Sequence, residues 1–257
     1  MLTLGGEEVR VRRAVLADVD APTLYRALVG LDRLPSRVRD DLRRFQYDSS
    51  TVKVDWTLDA PIPWTAPDAR RAGTVHVAEG VDELSDGATA LVRGLIPAEP
   101  FLVMGQYAAY DRTRQPPGKE TAWAYTHVPQ EIRGDAGGSL RGRWDDPAEV
   151  QAFVERIERR VEELAPGFRS LIRGRHVLTP PALQARNANL VGGALNGGTA
   201  QLHQQLVFRP LPGLGRARTP VPGLYLASAS AHPGGGVHGS AGANAARAAL
   251  ALSLIHI

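Results

Sequence analysis

The sequence predicts a mixed α/β fold, and three observations predict it. Short segments of apolar–polar alternation recur through the first half of the chain. One well-capped amphipathic helix occupies residues 147–164. Near the C-terminus an apolar strand, a glycine-rich loop and an alanine-rich helix follow one another over residues 223–250. Alternation with a period of two marks strands with one buried face. Apolar spacings of three and four mark a helix.

In chain order, Glu8 to Ala17 reads as two short strands or one bent strand. Asp20-Ala21-Pro22 opens a short helix with Leu24, Leu28 and, at its margin, Leu31 on one face, and Pro35 ends or kinks it. Val52, Val54, Trp56 and Leu58 interleave with Thr51, Lys53, Asp55 and Thr57 as a half-buried strand, which Pro61, Pro63 and Pro67 break. Thr74 to Val77 is a short strand. Phe101 to Tyr107 and Ala122 to His127 form a strand pair whose connection holds Pro116-Pro117-Gly118, a turn sequence. In the helix, Asp146 is the N-cap, Pro147 takes the first helical position and Glu149 completes a capping box. Val150, Phe153, Val154, Ile157, Val161 and Leu164 share one face, and Pro166-Gly167 stops it. From Thr179 onward Asn, Gly, Gln and Pro rise and charges thin out.

Composition excludes several function classes. With 257 residues, 43% hydrophobic and 22% charged, the chain has the make-up of a soluble protein of one or two domains. The absence of cysteine rules out disulfides, thiolate metal sites and cysteine nucleophiles. No apolar run reaches the roughly 18 residues of a membrane span, so no integral membrane segment is expected. The first eight residues lack the basic-then-apolar order of a signal peptide, and a cytoplasmic location is the expectation. The net charge is +3, and all the basic residues except Lys53 and Lys119 are arginine. The arginines are scattered among acidic residues without a basic stripe, so no nucleic-acid partner is expected. The expected partner is a small-molecule substrate.

Two segments carry the chemistry. Gly192-Gly193-Ala194-Leu195-Asn196-Gly197-Gly198-Thr199-Ala200-Gln201 leads to Phe208-Arg209-Pro210. The second segment runs from Pro222 to Arg247. In it, Gly223 to Ala227 reads as a turn and a buried apolar strand, and Ser228 to Gly236 as a loop of small residues that lets a ligand approach the backbone. Val237 to Leu250 reads as a helix whose N-terminus presents free N–H groups and partial positive charge. Gly239 and Gly242, with Ala243, Ala245 and Ala246, would let a neighbouring strand or a cofactor ring lie close. Such a turn suits anions generally, and an anion-binding protein is one reading of it.

The whole string resembles the C-terminal flavin-binding motif of the phytoene dehydrogenase-related FAD-dependent oxidoreductases. The Gly-Leu-Tyr strand at 223–225, the His-Pro-Gly-Gly-Gly-Val loop at 232–237 and the Ala-rich helix are all in place. Val52 to Trp64, Ala72 to His76 and Asn196 to Pro210 fit the pyridine nucleotide-disulfide oxidoreductase domain-containing protein 2 branch of that family, and the resemblance extends over most of residues 1–250. It implies a partial Rossmann-like FAD/NAD(P)-binding domain with an inserted α+β substrate domain. Residues 1–29 would be a remnant of the FAD-binding domain, 30–185 the substrate domain, 186–252 the C-terminal part of the FAD-binding domain and 253–257 an unmatched tail.

The cofactor so implied is FAD, with Ser228, Ala229, Ser230, His232, Gly235, Gly236, Val237, His238 and Gly239 as binding residues. Ser228 to Ser230 would face the phosphate and ribityl region. The N–H groups of Val237 and His238 would face the pyrimidine end of the isoalloxazine, where the reduced ring gains negative charge. The implied activity is removal of hydride from an apolar or amphipathic substrate. The family opens with a strand, a Gly-x-Gly-x-x-Gly turn and a helix that hold the ADP part of FAD, and no such motif stands in this sequence. The expectation is therefore the C-terminal part of a longer enzyme, binding FAD only together with an N-terminal segment. A non-catalytic interaction module of the same fold is the alternative.

No acid–base pair, nucleophile triad or metal cluster stands out, and no catalytic residue is assigned. That suits a reaction in which a cofactor takes the hydride and the protein orients it. His232 and His238 are the titratable side chains at the implied flavin edge, and they read either as catalytic groups or as residues that order the turn. As a metal pair they lack a third ligand, so no metal is expected. Tyr107, Trp123 and Tyr125 read either as the lining of a substrate pocket or as core packing.

Overall fold

The computed structural model describes residues 6–255. In chain order its elements begin with β1 (Val15–Ala17), a wide π-type helical segment (Thr23–Gly30), α1 (Ser36–Arg43), β2 (Ser50–Leu58), α2 (Pro67–Arg71) and β3 (Thr74–Val77). They continue through α3 (Val81–Val92), β4 (Leu95–Ile96), β5 (Leu102–Gln106), β6 (Glu120–Val128), β7 (Gly134–Asp135) and α4 (Pro147–Leu164). The last are α5 (Phe168–Leu171), β8 (Ile172–Leu178), α6 (Pro180–Arg186), β9 (Leu224–Leu226) and α7 (Ser240–Ile255). Several one-turn 3-10 segments stand between them. The chain divides into two compact units, residues 49–188 and residues 1–48 with 189–257.

In the unit of residues 49–188 the alternating segments form a five-stranded antiparallel sheet, in the order β3-β5-β6-β2-β8. Val52, Val54, Trp56 and Leu58 fall on one face, as the alternation requires. They share a core with Leu102 and Met104 of β5, Ala122 and Ala124 of β6, and the Phe153, Val154, Ile157 and Val161 stripe of α4. Glu158, on the same helix, is wholly buried and accepts hydrogen bonds from Trp56 Nε1 (2.8 Å) and Arg175 Nη2 (2.9 Å). Arg156 donates to both oxygens of Asp135, at 2.8 and 2.7 Å, and to the Pro97 carbonyl at 2.9 Å. Burial alone would raise the pKa of Asp135. The Arg156 guanidinium and the N–H groups of Ser139, Leu140 and Gly137 outweigh it and hold the pKa at about 2.

Asp146 caps α4 through the Ala148 N–H, and Pro147 opens the helix, as its sequence implies. The capping box does not form. Glu149 reaches past the N-cap and accepts from the N–H groups of Arg141, Gly142 and Arg143, where a turn with Gly142 at positive φ leaves donors unpaired. Strand β8 and helices α1, α3 and α6 have no counterpart in the sequence reading.

In the other unit β1 and β9 pair in parallel, Val15 with Leu224, Leu16 with Tyr225 and Ala17 with Leu226. Only the last three residues of the alternating 8–17 segment are in this strand. The helical turn after Asp20 buries Ala21, Leu24 and Tyr25, while Leu28 and Leu31, expected on the buried face, are 65% and 42% exposed. The wider π-type winding shifts the buried face away from the 3.6-residue stripe. Pro35 does not end the helical region, because α1 starts directly after it and adds Val38 and Leu42 to the same core as Leu24, Leu211 and Leu226. For that reason residues 30–48, expected within the inserted domain, pack with this unit, and its boundaries fall at 48/49 and 188/189. Helix α7 packs on β9 through Ala245 against Tyr225 and Ala217. It begins at Ser240, three residues after the expected start at Val237, and runs to Ile255, through much of the segment expected as an unmatched tail. His256 and Ile257 lie outside the described residues.

Candidate functional site

The strand, loop and helix expected near the C-terminus are present in that order. Gly223, at φ +77°, turns the chain into β9, where Tyr225 and Leu226 are buried and the Ala227 N–H donates to Ala17 O at 2.9 Å. Two tight turns follow, closed by Ala231 N–H to Ser228 O (2.9 Å) and Gly234 N–H to Ala231 O (2.8 Å). Of the candidate cofactor residues, Ser228 and Ser230 are buried, Ala229 and His232 half-buried, and Gly235, Gly236, Val237, His238 and Gly239 exposed. The N–H groups of residues 235–239 have no partner among the described residues. His238 Nδ1 accepts from the Ser240 N–H at 2.9 Å, which satisfies one free donor at the start of α7. Its ring therefore orders the turn. A Cβ on Gly239 would meet nothing within 4 Å, and one on Gly242 only Ala227 O at 3.9 Å, so neither glycine is required by close packing inside the chain.

The serine hydroxyls are spent on the protein itself. Ser230 Oγ accepts from the Ala21 N–H at 3.0 Å and donates to Gly197 O at 2.6 Å, and Ser228 Oγ accepts from the Ser230 N–H at 3.2 Å. These bonds tie the loop after β9 to the Asn196–Gly198 turn. Gly197 (φ +63°) lies so close that a Cβ there would sit 2.9 Å from Ser230 N, and one on Gly235 would sit 2.6 Å from Asn196 Oδ1.

The residue that organises both loops is Arg209, to which the sequence reading gave no role although it stands in the second half of the quoted motif. It is 1% exposed. Its Nε and Nη2 donate to Ala229 O at 3.1 and 2.8 Å, Nη1 donates to Thr199 O at 3.0 Å, and Nη2 also reaches Asn196 O. Burial lowers the guanidinium pKa and the nearby Asp48 opposes that shift. The group stays cationic in the physiological range. Five fixed donors thus fill the place of a β-ladder for loops that have none. Asn196 Nδ2 donates to Asp48, and Gln46 and Gln204 exchange two hydrogen bonds at 3.0 and 2.8 Å. Nearby, Tyr47 OH donates to the buried Asp20 Oδ1 at 2.6 Å. Burial, and then this carboxylate, raise the Tyr47 phenol above its ordinary range, so it remains protonated.

A cavity of about 300 Å³ opens beside the loop, lined by Arg216, Ala217, Arg218, His232, Asn244 and Ala248, among others. His232 Nδ1 is buried and has no partner among the described residues. No group of three His, Asp or Glu side chains able to hold a metal occurs among the described residues, and no helix there is long and apolar enough to cross a membrane.

In the unit of residues 49–188, Trp123, Tyr125 and His127 stand on the face of β6 opposite the α4-covered core. Trp123 and Tyr125 are stacked at 6.0 Å and 7°, and Trp123 Nε1 donates to Tyr107 OH at 2.6 Å. Trp123 lies on Gly105, where a Cβ would come within 2.3 Å of the indole. Tyr107, Trp123 and Tyr125 are half-buried and stand outside the main core.

The chain is a mixed α/β protein. The structure is similar to that of an oxidoreductase from Methanosarcina mazei, with a TM-score of 0.50 at 13% sequence identity, covering 93% of this chain and 42% of that one. By sequence the chain is homologous to pyridine nucleotide-disulfide oxidoreductase domain-containing protein 2 from Rattus norvegicus, at 31% identity over 252 residues, and from Mus musculus, at 31% over 251. Each of these alignments takes in 94% of this chain and 42% of the relative, so the chain spans less than half the length of the curated relatives it matches. No family model matches the chain.

Proposed function

We propose that the chain is the C-terminal part of an FAD-dependent oxidoreductase of the phytoene dehydrogenase-related class, which removes hydride from an apolar or amphipathic substrate in the cytoplasm. On this reading residues 1–48 and 189–257 are part of a Rossmann-like FAD-binding domain, and residues 49–188 are the inserted substrate domain. The observation that carries it is the loop from Gly235 to Gly239. It is exposed and side-chain-poor, its N–H groups have no partner among the described residues, and it leads into a helix of sixteen residues. Those features fit the electron-rich edge of a flavin, which needs donors, room and the positive end of a helix dipole. FAD, when bound, supplies the hydride acceptor.

This chain's residues then hold and orient. The N–H groups of Gly235 to Gly239 would line the ring edge. Ser228, Ala229 and Ser230 would set the loop beneath the ribityl and phosphate region, through backbone groups where their hydroxyls are already engaged. Arg209 positions that loop from behind. Fusing the chain to the N-terminal dinucleotide-binding segment of a curated relative tests the reading. The expected product carries near-stoichiometric flavin absorbance after gel filtration, while the chain alone carries little. A correctly folded fusion without flavin would overturn it.

A second reading has its own observation, the cavity that places Arg216, Arg218 and His232 beside the loop. Two guanidiniums there suit a phosphate-bearing anion without flavin chemistry. Pyrophosphate binding by the isolated chain, lost in an Arg216→Ala and Arg218→Ala double variant and unaffected by Gly236→Val, would favour it.

A further inference from the structure

Helix α3 buries Ala90 alone among its twelve residues. Its Leu84, Gly87, Ala88 and Leu91, at helical spacings of three and four, instead line a cavity of about 170 Å³ closed on the far side by Pro97, Phe101, Thr126 and His127. Six of these eight residues are apolar or glycine; the other two are Thr126 and His127, whose Nδ1 is buried without a hydrogen-bond partner among the described residues. Gly87 is informative. It has no positive φ, and a Cβ there would meet nothing within 4 Å, so neither backbone geometry nor packing requires glycine. Glycine inside a helix is less stable than alanine. Its effect here is to keep the slot open.

The slot does not stand alone. His127 at its wall continues the row of Trp123 and Tyr125 along β6, with the His127 and Tyr125 rings 5.8 Å apart edge to face. From Trp123 to His127 the row spans five residues of strand, about 13 Å over four rises. An apolar cavity of about 150 Å³ holds one benzene ring, so this slot takes a segment of about six carbons.

We infer that the slot between α3 and β6 is a binding site for the hydrocarbon end of an elongated small molecule whose continuation lies along the Trp123–Tyr125 row. The inference rests on the proposed oxidoreductase reading for its link to substrate, and it specifies that substrate as one with an unbranched apolar tail. The occupant is the tail itself, because six of the eight lining residues offer carbon contacts and none is Asp, Glu, Lys or Arg.

The test titrates the full chain with the neutral n-alkanols from butanol to decanol and follows NMR shifts of Leu91, Thr126 and His127. Affinity should rise about fourfold per methylene up to about six carbons and then level off. Gly87→Leu should weaken hexanol at least tenfold without lowering the melting temperature. Leu84→Gln, at the rim, should weaken it by threefold or more and serves if Gly87→Leu does not fold. Equal affinity across the series, or hexanol binding unchanged in both variants, would overturn the inference. A higher melting temperature of Gly87→Leu with unaltered hexanol affinity would do the same and mark the slot as a packing void. The titration uses no flavin, so hexanol binding in a chain whose fusion holds no FAD contradicts the oxidoreductase reading alone. A flavin-loaded fusion without the chain-length dependence contradicts the slot alone.

Discussion

The unit of residues 49–188 and the unit of residues 1–48 with 189–257 solve the same problem, the burial of polar backbone, by different means. In the first, an antiparallel sheet pairs the backbone in long ladders, and α4 covers one face with Phe153, Val154, Ile157 and Val161. In the second, the one strand pair among the described residues is parallel and three residues long, joined by an antiparallel bridge from Arg218 to Tyr225, and the two long loops are held by side chains, chiefly Arg209 and Ser230. The difference teaches where function can be placed. A ladder pairs most of the backbone inside the sheet, whereas the loop after β9 is fixed from one side and keeps the N–H groups of 235–239 free.

The largest effect that would break the comparison is at Arg209. Arg209→Met leaves several buried carbonyls without donors and should cost on the order of 4 kcal/mol of stability in its own unit. All four tryptophans lie in residues 49–188 and report on the other unit. Denaturant unfolding followed by tryptophan fluorescence should therefore change little, while hydrogen exchange at Gly197, Thr199 and Ala231 accelerates. Arg209→Lys should rescue only in part, since one ammonium cannot span the same carbonyls. Equal loss in both readouts would show that the two units unfold as one.

Next comes the buried pair in the sheet unit. Arg156→Met strands the Asp135 carboxylate and should cost about 3 kcal/mol at pH 7. The pH profile sharpens the point. The Asp135 pKa is lowered on folding from 3.8 to about 2, so its contribution is fully present above pH 4 and is lost as pH falls from about 4 through 2. Wild-type stability should drop by on the order of 2 kcal/mol across that window from this group, and the Arg156→Met profile should be flatter there. An unchanged slope would mean that the guanidinium does not set the carboxyl's pKa.

Smaller is Gly105→Ala, which pushes a methyl against the Trp123 indole. It should cost about 2 kcal/mol, and it should shift tryptophan emission as the ring leaves its stack with Tyr125. Emission identical to wild type would contradict the stacked row. The smallest effect is Ser230→Ala, about 1 kcal/mol, seen as faster exchange at the Ala21 N–H.

The same division governs what was legible in the sequence. The strands β2, β5 and β6 and helix α4 were readable because burial on one face imposes a period, and Thr51 to Leu58 or Val150 to Val161 display it directly. Strand β8 was not, since Arg173, Arg175 and His176 break the alternation, and the exposed Arg175 stands there because its guanidinium reaches in to the buried Glu158. Helix α3 escaped notice because its apolar face lines a slot and buries only Ala90. At the candidate site, glycines and small residues announced the strand, loop and helix after Gly223. Arg209 was visible as a residue and not as a keystone. Its partners are main-chain carbonyls, and no residue type in the sequence marks a carbonyl that needs a donor. The one available signal was an arginine between Phe208 and Pro210 in a segment poor in acidic residues.

The most direct test of the central claim is flavin occupancy of the Gly236→Val variant in the fusion with a dinucleotide-binding segment. Gly236 stands at φ +151°, and a Cβ there would press on the His238 ring, so valine must reshape the loop that carries the free N–H groups while the Arg209 and Ser230 bonds beneath it stay in place. The account predicts a variant that folds like its parent and emerges from gel filtration with little flavin absorbance. A variant that keeps its parent's flavin content would contradict the account, because the loop from Gly235 to Gly239 would then not line the cofactor.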